Sequence, residues 1–188
     1  NTLTLSGEGR LSNTNAFALN HASSKLLLNS ITVDTVKTSA DSLGLDVDGN
    51  STVTSLSVAH TTPVSIASGK TLSGAITVTA GSIKLDETGT LASTVSMSGS
   101  GGTLDADESM TVSGTLSHTA DNTIDVSTGK TLTYSGAALS LGAHTLELSE
   151  EGRLSNSNAL LLNNASSKLQ LSGPITVDSV STSLASLG

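Results

Sequence analysis

The chain has no cysteine and almost no aromatic residues: Phe17 and Tyr134 are the only two among 188. Without cysteine there is no disulfide framework and no thiolate metal site, which excludes small disulfide-stapled modules. Without aromatics, the large buried areas that usually anchor a globule are missing, so a core has to be built from Leu, Val, Ile and Ala. Charge is scarce, at 13 % of residues, and it leans toward acid, with a formal net charge of −8. Phosphate binding needs clustered Lys and Arg, so this balance excludes a nucleic-acid partner. No apolar run approaches the ~18 residues of a membrane-spanning segment. The first residue is Asn1 rather than Met, and no basic-then-apolar leader precedes the repeats. The expectation is a chain that starts after processing or is cut from something longer.

Hydrophobic residues make up 36 % of the chain, and most of the rest is Ser, Thr, Gly and Asn, which supply turns and solvated β-surfaces. Disordered segments lack β-branched residues, whereas Val, Ile and Thr alternate here throughout. Internal repeats decide the reading. Leu5-Ser6-Gly7-Glu8-Gly9-Arg10-Leu11-Ser12-Asn13 returns as Leu148-Ser149-Glu150-Glu151-Gly152-Arg153-Leu154-Ser155-Asn156. Ala22-Ser23-Ser24-Lys25-Leu26 returns as Ala165-Ser166-Ser167-Lys168-Leu169. After a one-residue insertion at Pro174, Ile31-Thr32-Val33-Asp34 returns as Ile175-Thr176-Val177-Asp178. The long period is about 143 residues, with roughly two-thirds identity over about 44 positions. Residues 1–143 therefore read as one long repeat and residues 144–188 as the start of a second copy, within one continuous array.

A shorter period lies inside the long one. Apolar pairs at i and i+2 recur at Leu3/Leu5, Leu26/Leu28, Leu45/Val47, Val64/Ile66, Ile83/Leu85, Ile124/Val126, Leu146/Leu148 and Leu169/Leu171. With Leu104 added, the steps run about 19 to 23 residues, seven to each long repeat. A second row (Leu11, Val33, Val53, Leu72, Leu91, Val112, Leu132, Leu154) and a third (Val58, Val78, Met97, Leu116, Leu139, Leu160) follow each first row. Three short strands per coil, alternating inward apolar and outward polar residues, predict an all-β fold: a three-sided β-solenoid, wound as a right-handed parallel β-helix. Gly69, Gly81, Gly89, Gly129 and Gly136 fall at expected corners, and Asn13 to Ser24 reads as a longer loop outside the strands.

Thr2-Leu3-Thr4-Leu5-Ser6-Gly7, Ser68-Gly69-Lys70-Thr71-Leu72 and Thr128-Gly129-Lys130-Thr131-Leu132 resemble the G-x-L-x-L-x-G idiom of bacterial surface β-helices. That group comprises autotransporter passengers, filamentous-haemagglutinin-like proteins and giant repetitive adhesins. The resemblance covers the whole chain in style and transfers no functional residue. It implies secretion to the cell surface, a right-handed β-helix and an adhesive or fibre-forming role.

Candidate sites are few. Gly69-Lys70-Thr71 and Gly129-Lys130-Thr131 lack the glycine of a phosphate-binding loop, since Val64 and Ile124 stand in its place; they read as equivalent corners. Asp46, Asp48 and Asn50 resemble the start of a calcium loop, but the position for its bidentate Glu holds Ser57; the plainer reading is a polar turn. Asp105, Asp107 and Glu108 make a weaker calcium case. A carbohydrate-active enzyme would use the carboxylate pairs Asp105/Asp107 or Asp86/Glu87 with Tyr134 as sugar platform, while His21, His60, His118 and His144 are scattered, and His21 and His144, which stand opposite Asn164 and Asn1 of the other copy, read as surface positions. Thr2/Thr4, Thr52/Thr54, Thr77/Thr79 and Thr131/Thr133 raise ice binding, yet the rows are broken by other residues. Glu8 with Arg10 and Glu151 with Arg153 read as exposed ion pairs.

The expectation is a structural or adhesive extracellular rod or fibre on or outside a bacterial cell, not an enzyme, and with no cofactor. Its partners are copies of itself stacked end to end, neighbouring repeats of the same array, or a receptor on a host surface. The alternatives are a ligand-binding solenoid for ice or calcium, and a carbohydrate-active β-helix.

Overall fold

The computed structural model describes residues 1–183, and among them every regular element is a β-strand. With no helix, none is long and apolar enough to cross a membrane. Strand pairing is parallel throughout and links residues 19 to 24 positions apart, from Leu26 opposite Leu45 to Ile124 opposite Leu148. A chain whose partners always lie one such step further on winds into a β-solenoid. Nine coils result, and the ~4.8 Å spacing of paired strands makes them about 40 Å tall.

Three ladders run along the coils. The first joins the start of Thr2–Leu11 and of Lys25–Thr38 to Gly44–Val47, Thr62–Ile66, Ser82–Leu85, Thr103–Ala106, Asn122–Val126, Thr145–Ser149 and Lys168–Ser172. These nine strands open coils 1 to 9. The second ladder begins with the end of Thr2–Leu11 and ends with Thr176–Val177; the third begins with Phe17–Leu19 and ends with Val180–Thr182. The segment expected to leave the coil therefore contributes a strand: Phe17 to Leu19 pair with Val36 to Thr38. The third apolar row starts two coils earlier than the sequence indicated, at Leu19 and Val36, because Thr38 interrupts its pattern.

Alternation explains the packing. In Ser82–Leu85 and Thr103–Ala106 every second residue is buried and the others are partly exposed, the period-two signature of a strand with one face inward. Stacked coils turn these positions into files: Leu26, Leu45, Val64, Leu85, Ala106 and Val126 lie one above the next, all almost fully buried. Short aliphatic chains, stacked in register with those above and below, fill one continuous core. The two copies of the long repeat stack alike, with Leu3 opposite Leu26 and Leu146 opposite Leu169.

Coils 4 and 7 each bring one extra residue inward, Thr62 and Asn122, and the register of the first ladder shifts by two residues there to seat them. The Thr62 hydroxyl donates to His60 O at 2.9 Å, and Asn122 Nδ2 donates to Gly99 O of the preceding coil at 2.7 Å while its buried Oδ1 has no partner. These coils carry the two Gly-Lys-Thr corners, where Gly69 and Gly129 share a φ of 71° and 73°. The corners are equivalent, as their sequence indicated.

The third ladder is broken once, between Leu116–His118 and Leu139–Ser140, which belong to different sheets. Tyr134 bridges the break from inside. Its hydroxyl accepts the Leu116 N–H at 3.1 Å and donates to Ala137 O at 2.5 Å. Gly136 makes room, since a Cβ there would lie 2.6 Å from the Tyr134 ring and 2.1 Å from Gly114 O. Tyr134→Phe keeps the ring but leaves the Leu116 N–H unpaired in an apolar interior. The expected loss is about 1–3 kcal/mol in a urea or thermal melt. Ser65→Ala, on the outer face, should stay within about 0.5 kcal/mol of the parent.

Candidate functional site

The outward residues of the first ladder form the most charged surface of the rod. Register places Lys84, Asp105 and Asp125 in one file over coils 5 to 7. Lys84 Nζ lies 2.9 Å from Asp107 and 3.5 Å from Asp105, and Lys130 Nζ lies 2.6 Å from Glu108. Each lysine thus ties its own coil to a neighbour. Carboxylates outnumber ammonium groups here, and the titration behaviour follows. Burial, with the charge of Asp107 next, pushes the Asp105 carboxyl up to about 6. Burial, then Asp107, also raises Asp86. The hydrogen bond from Lys84 holds Asp107 below the ordinary carboxyl range, and the same bond raises Lys84.

The calcium candidates are already engaged. Asp46 pairs with Lys25 one coil away at 2.5 Å, and Asn50 Oδ1 accepts the Thr71 N–H at 3.1 Å, while Asp48 is exposed. Asp107 and Glu108, of the weaker case, hold Lys84 and Lys130. Among the described residues no group of three or more His, Cys, Asp or Glu is arranged to hold a metal ion. The carboxylates and amides of these turns serve as rungs between coils.

Arg10 and Arg153 likewise bond to the next coil rather than to Glu8 and Glu151. Arg10 lies 2.6 Å from Asp34, and Arg153 lies 2.7 Å from Asp178. Asp34 also accepts the Ser12 hydroxyl at 2.7 Å, a bond that lowers its pKa; Ser155 repeats the contact to Asp178 at 2.8 Å. Beside each pair an asparagine spans two coils. Asn13 Oδ1 accepts the N–H groups of Asp34 and Thr35, and its Nδ2 donates to Asn15 O and Thr35 O. Asn156 makes the same four bonds with Asp178, Ser179 and Asn158. Both copies thus carry an Arg-Ser-Asn clasp on the following coil. Its signal in the sequence was the identity of these residues in the two copies, which one-strand spacing had assigned to a local pair.

Two further groupings were missed. On the second ladder Thr71, Thr90, Thr111 and Thr133 stand in one file over coils 4 to 7, bounded by Asn50 and Ser155. The apolar rows align Val112 with Leu132, whereas register sets Val112 opposite Tyr134 and Met110 opposite Leu132, so that Thr133 rather than Thr131 ends the file. His118 is buried, with its ring 6.0 Å from that of His144 and edge-on to it. Its Nδ1 faces Ala120 O at 3.2 Å. Burial lowers its pKa below the ordinary 6.5, so the stability that the neutral ring contributes is present above pH 6.5 and is lost as pH falls below it through the lowered pKa. Tyr134, 1 % exposed, is no platform for a sugar.

No family model, curated protein or solved structure matches the chain. Its surface has therefore to be read from its own chemistry. Asp105 gives a direct check on that reading. Because the fold raises its pKa from 3.8 to about 6, the group contributes stability below pH 3.8 that is lost as pH rises to about 6. Asp105→Asn mimics the protonated form. It should raise stability near neutral pH by on the order of 2 kcal/mol, and equal stabilities below pH 3.8 complete the expected profile.

Proposed function

We propose that this chain is a segment of a structural, adhesive rod exposed on or outside a bacterial cell, three-sided and right-handed, and that it is not an enzyme. The observation that carries the reading is the identical stacking of the two copies of the long repeat. Thr2 to Ser6 meet Lys25 to Asn29 in the register in which Thr145 to Ser149 meet Lys168 to Ser172. A repeat that returns to its own register adds length without changing the interior, which is how a stiff rod is extended. The outward hydroxyls and the acidic flank keep the rod soluble and separate from its neighbours. Its ends are different: Leu3 is 45 % exposed and Leu171 53 %. Open strand edges with apolar side chains are adhesive, so further coils cover them, of the same array or of another chain stacked end to end. The tie to a bacterial surface rests on the resemblance of the repeats to those of surface β-helices.

Electron microscopy tests the reading. Unbranched rods or filaments with a ~4.8 Å axial repeat are expected at high concentration. Compact particles without that repeat would refute it.

The four-threonine file favours one second reading, a face that orders water for ice. Thermal hysteresis of freezing, abolished by Thr90→Lys with Thr111→Lys, is what that reading requires; ordinary freezing by the parent chain retires it.

A further inference from the structure

Coil 1 has one face that no other coil covers. It carries exposed Leu3 and a hollow of about 190 Å³ lined in part by Leu3, Phe17, Leu19 and Leu26. Elsewhere in the same chain that surface is covered. Coil 8 is the counterpart of coil 1 in the second copy of the repeat, and coil 7 lies on it. Asn122, Ile124, Leu132 and Tyr134 of coil 7 stand opposite Leu146, Leu148, Leu154 and Asn156 of coil 8, and Leu139 stands opposite Leu160.

Side chains lock this junction. The Thr145 N–H donates to Asp121 Oδ1 at 2.7 Å, and Asn158 Nδ2 donates to Gly136 O at 2.7 Å. Asn163 Nδ2 donates to Ser140 Oγ at 2.6 Å, while its Oδ1 accepts the Gly142 N–H at 3.0 Å. The counterparts of these three coil-8 residues are Thr2, Asn15 and Asn20, unchanged in identity and exposed in coil 1. The two asparagine side chains, Asn15 and Asn20, and the Thr2 N–H thus keep the chemistry to grip a coil that carries Gly136, Ser140 and Asp121.

We propose that the open face of coil 1 docks coil 7 of a preceding copy of the same repeat, residues 121–142, in the register of the coil 7–coil 8 junction. Asn122 of that copy then faces Leu3, Ile124 faces Leu5, and Leu132 faces Leu11. Leu139 faces Phe17, and with Leu141 it fills the hollow. Phe17-Ala18 replaces Leu160-Leu161 at this contact, trading bulk between adjacent positions. Coil 9 is not the matching surface. It repeats coil 2, whose following neighbour is coil 3 through Leu26 opposite Leu45. The inference rests on the array reading and adds its register and its partner.

The test extends the protein rather than shortening it. A copy of residues 1–143 is fused ahead of the full chain, with Thr133→Cys in the added copy and Ser12→Cys in the chain that follows. The reference is the 188-residue chain carrying Thr133→Cys and Ser155→Cys, whose backbones are direct register partners. The chain has no native cysteine, so each protein carries a single pair of thiols, and a non-reducing gel separates the bond within a chain from one between chains. Ladder partners ~4.8 Å apart lie within the span of a disulfide. Under mild oxidation both proteins should close the bond to the same extent, and moving the first cysteine to Thr131 or Ser135 should lose it. Free thiols in the extended protein, beside a closed reference, overturn the proposal, as does a bond that follows the shifted cysteine. Micrographs separate this failure from that of the rod: rods lengthened by the added copy without the bond leave the array standing and remove the register.

Discussion

Everything in this molecule depends on the backbone hydrogen bonds that join one coil to the next. They are parallel, and no paired residues lie closer than 19 positions apart in the chain. A single coil can satisfy neither its own N–H groups nor its apolar side chains, so both needs are met by the coils on either side. This explains the composition. The interior takes one side chain at each inward position of short stacked strands, and the one tyrosine it holds sits where a ladder is broken. Leu, Val and Ile, repeated in register, fill the rest.

The polar side chains extend the same principle to the corners. Asn13 and Asn156 each make four bonds to backbone groups, Asn50 caps Thr71, and Lys25, Lys84 and Lys130 bridge coils. Few charges remain over, and the excess is acidic and concentrated beside Lys84. Stacking one coil on another, ~4.8 Å apart, buries the Asp105 carboxyl, which together with the charge of Asp107 is why it holds its proton above the ordinary carboxyl range. The Thr71 to Thr133 file arises from the same geometry: any residue type that recurs once per coil becomes a continuous line.

The solenoid was legible because inward rows are set by apolar spacing, and Leu26, Leu45 and Val64 announce themselves without knowledge of any partner. The equivalence of the Gly69 and Gly129 corners was legible for the same reason, as was the long repeat. What the sequence hid was register. Two-residue shifts seat Thr62 and Asn122 inside the coil, and another sets Val112 opposite Tyr134 rather than Leu132, which puts Thr133 rather than Thr131 in the threonine file. Side-chain partners depend on register, so Arg10 looked paired with Glu8 when its acid is Asp34, 24 residues on. Phe17 to Leu19 looked like loop because its polar neighbours broke the alternation, and the inward position of His118 went unmarked because it carries a polar ring.

Hydrogen exchange resolved coil by coil puts the central claim to the most direct test. If coil-on-coil bonding holds the fold together, amides of the three ladders in coils 2 to 8 should be protected. Coils 1 and 9, each with one open face, should exchange faster, and protection should rise inward from both ends. Equal protection in every coil, or rapid exchange in the interior coils, would contradict the account.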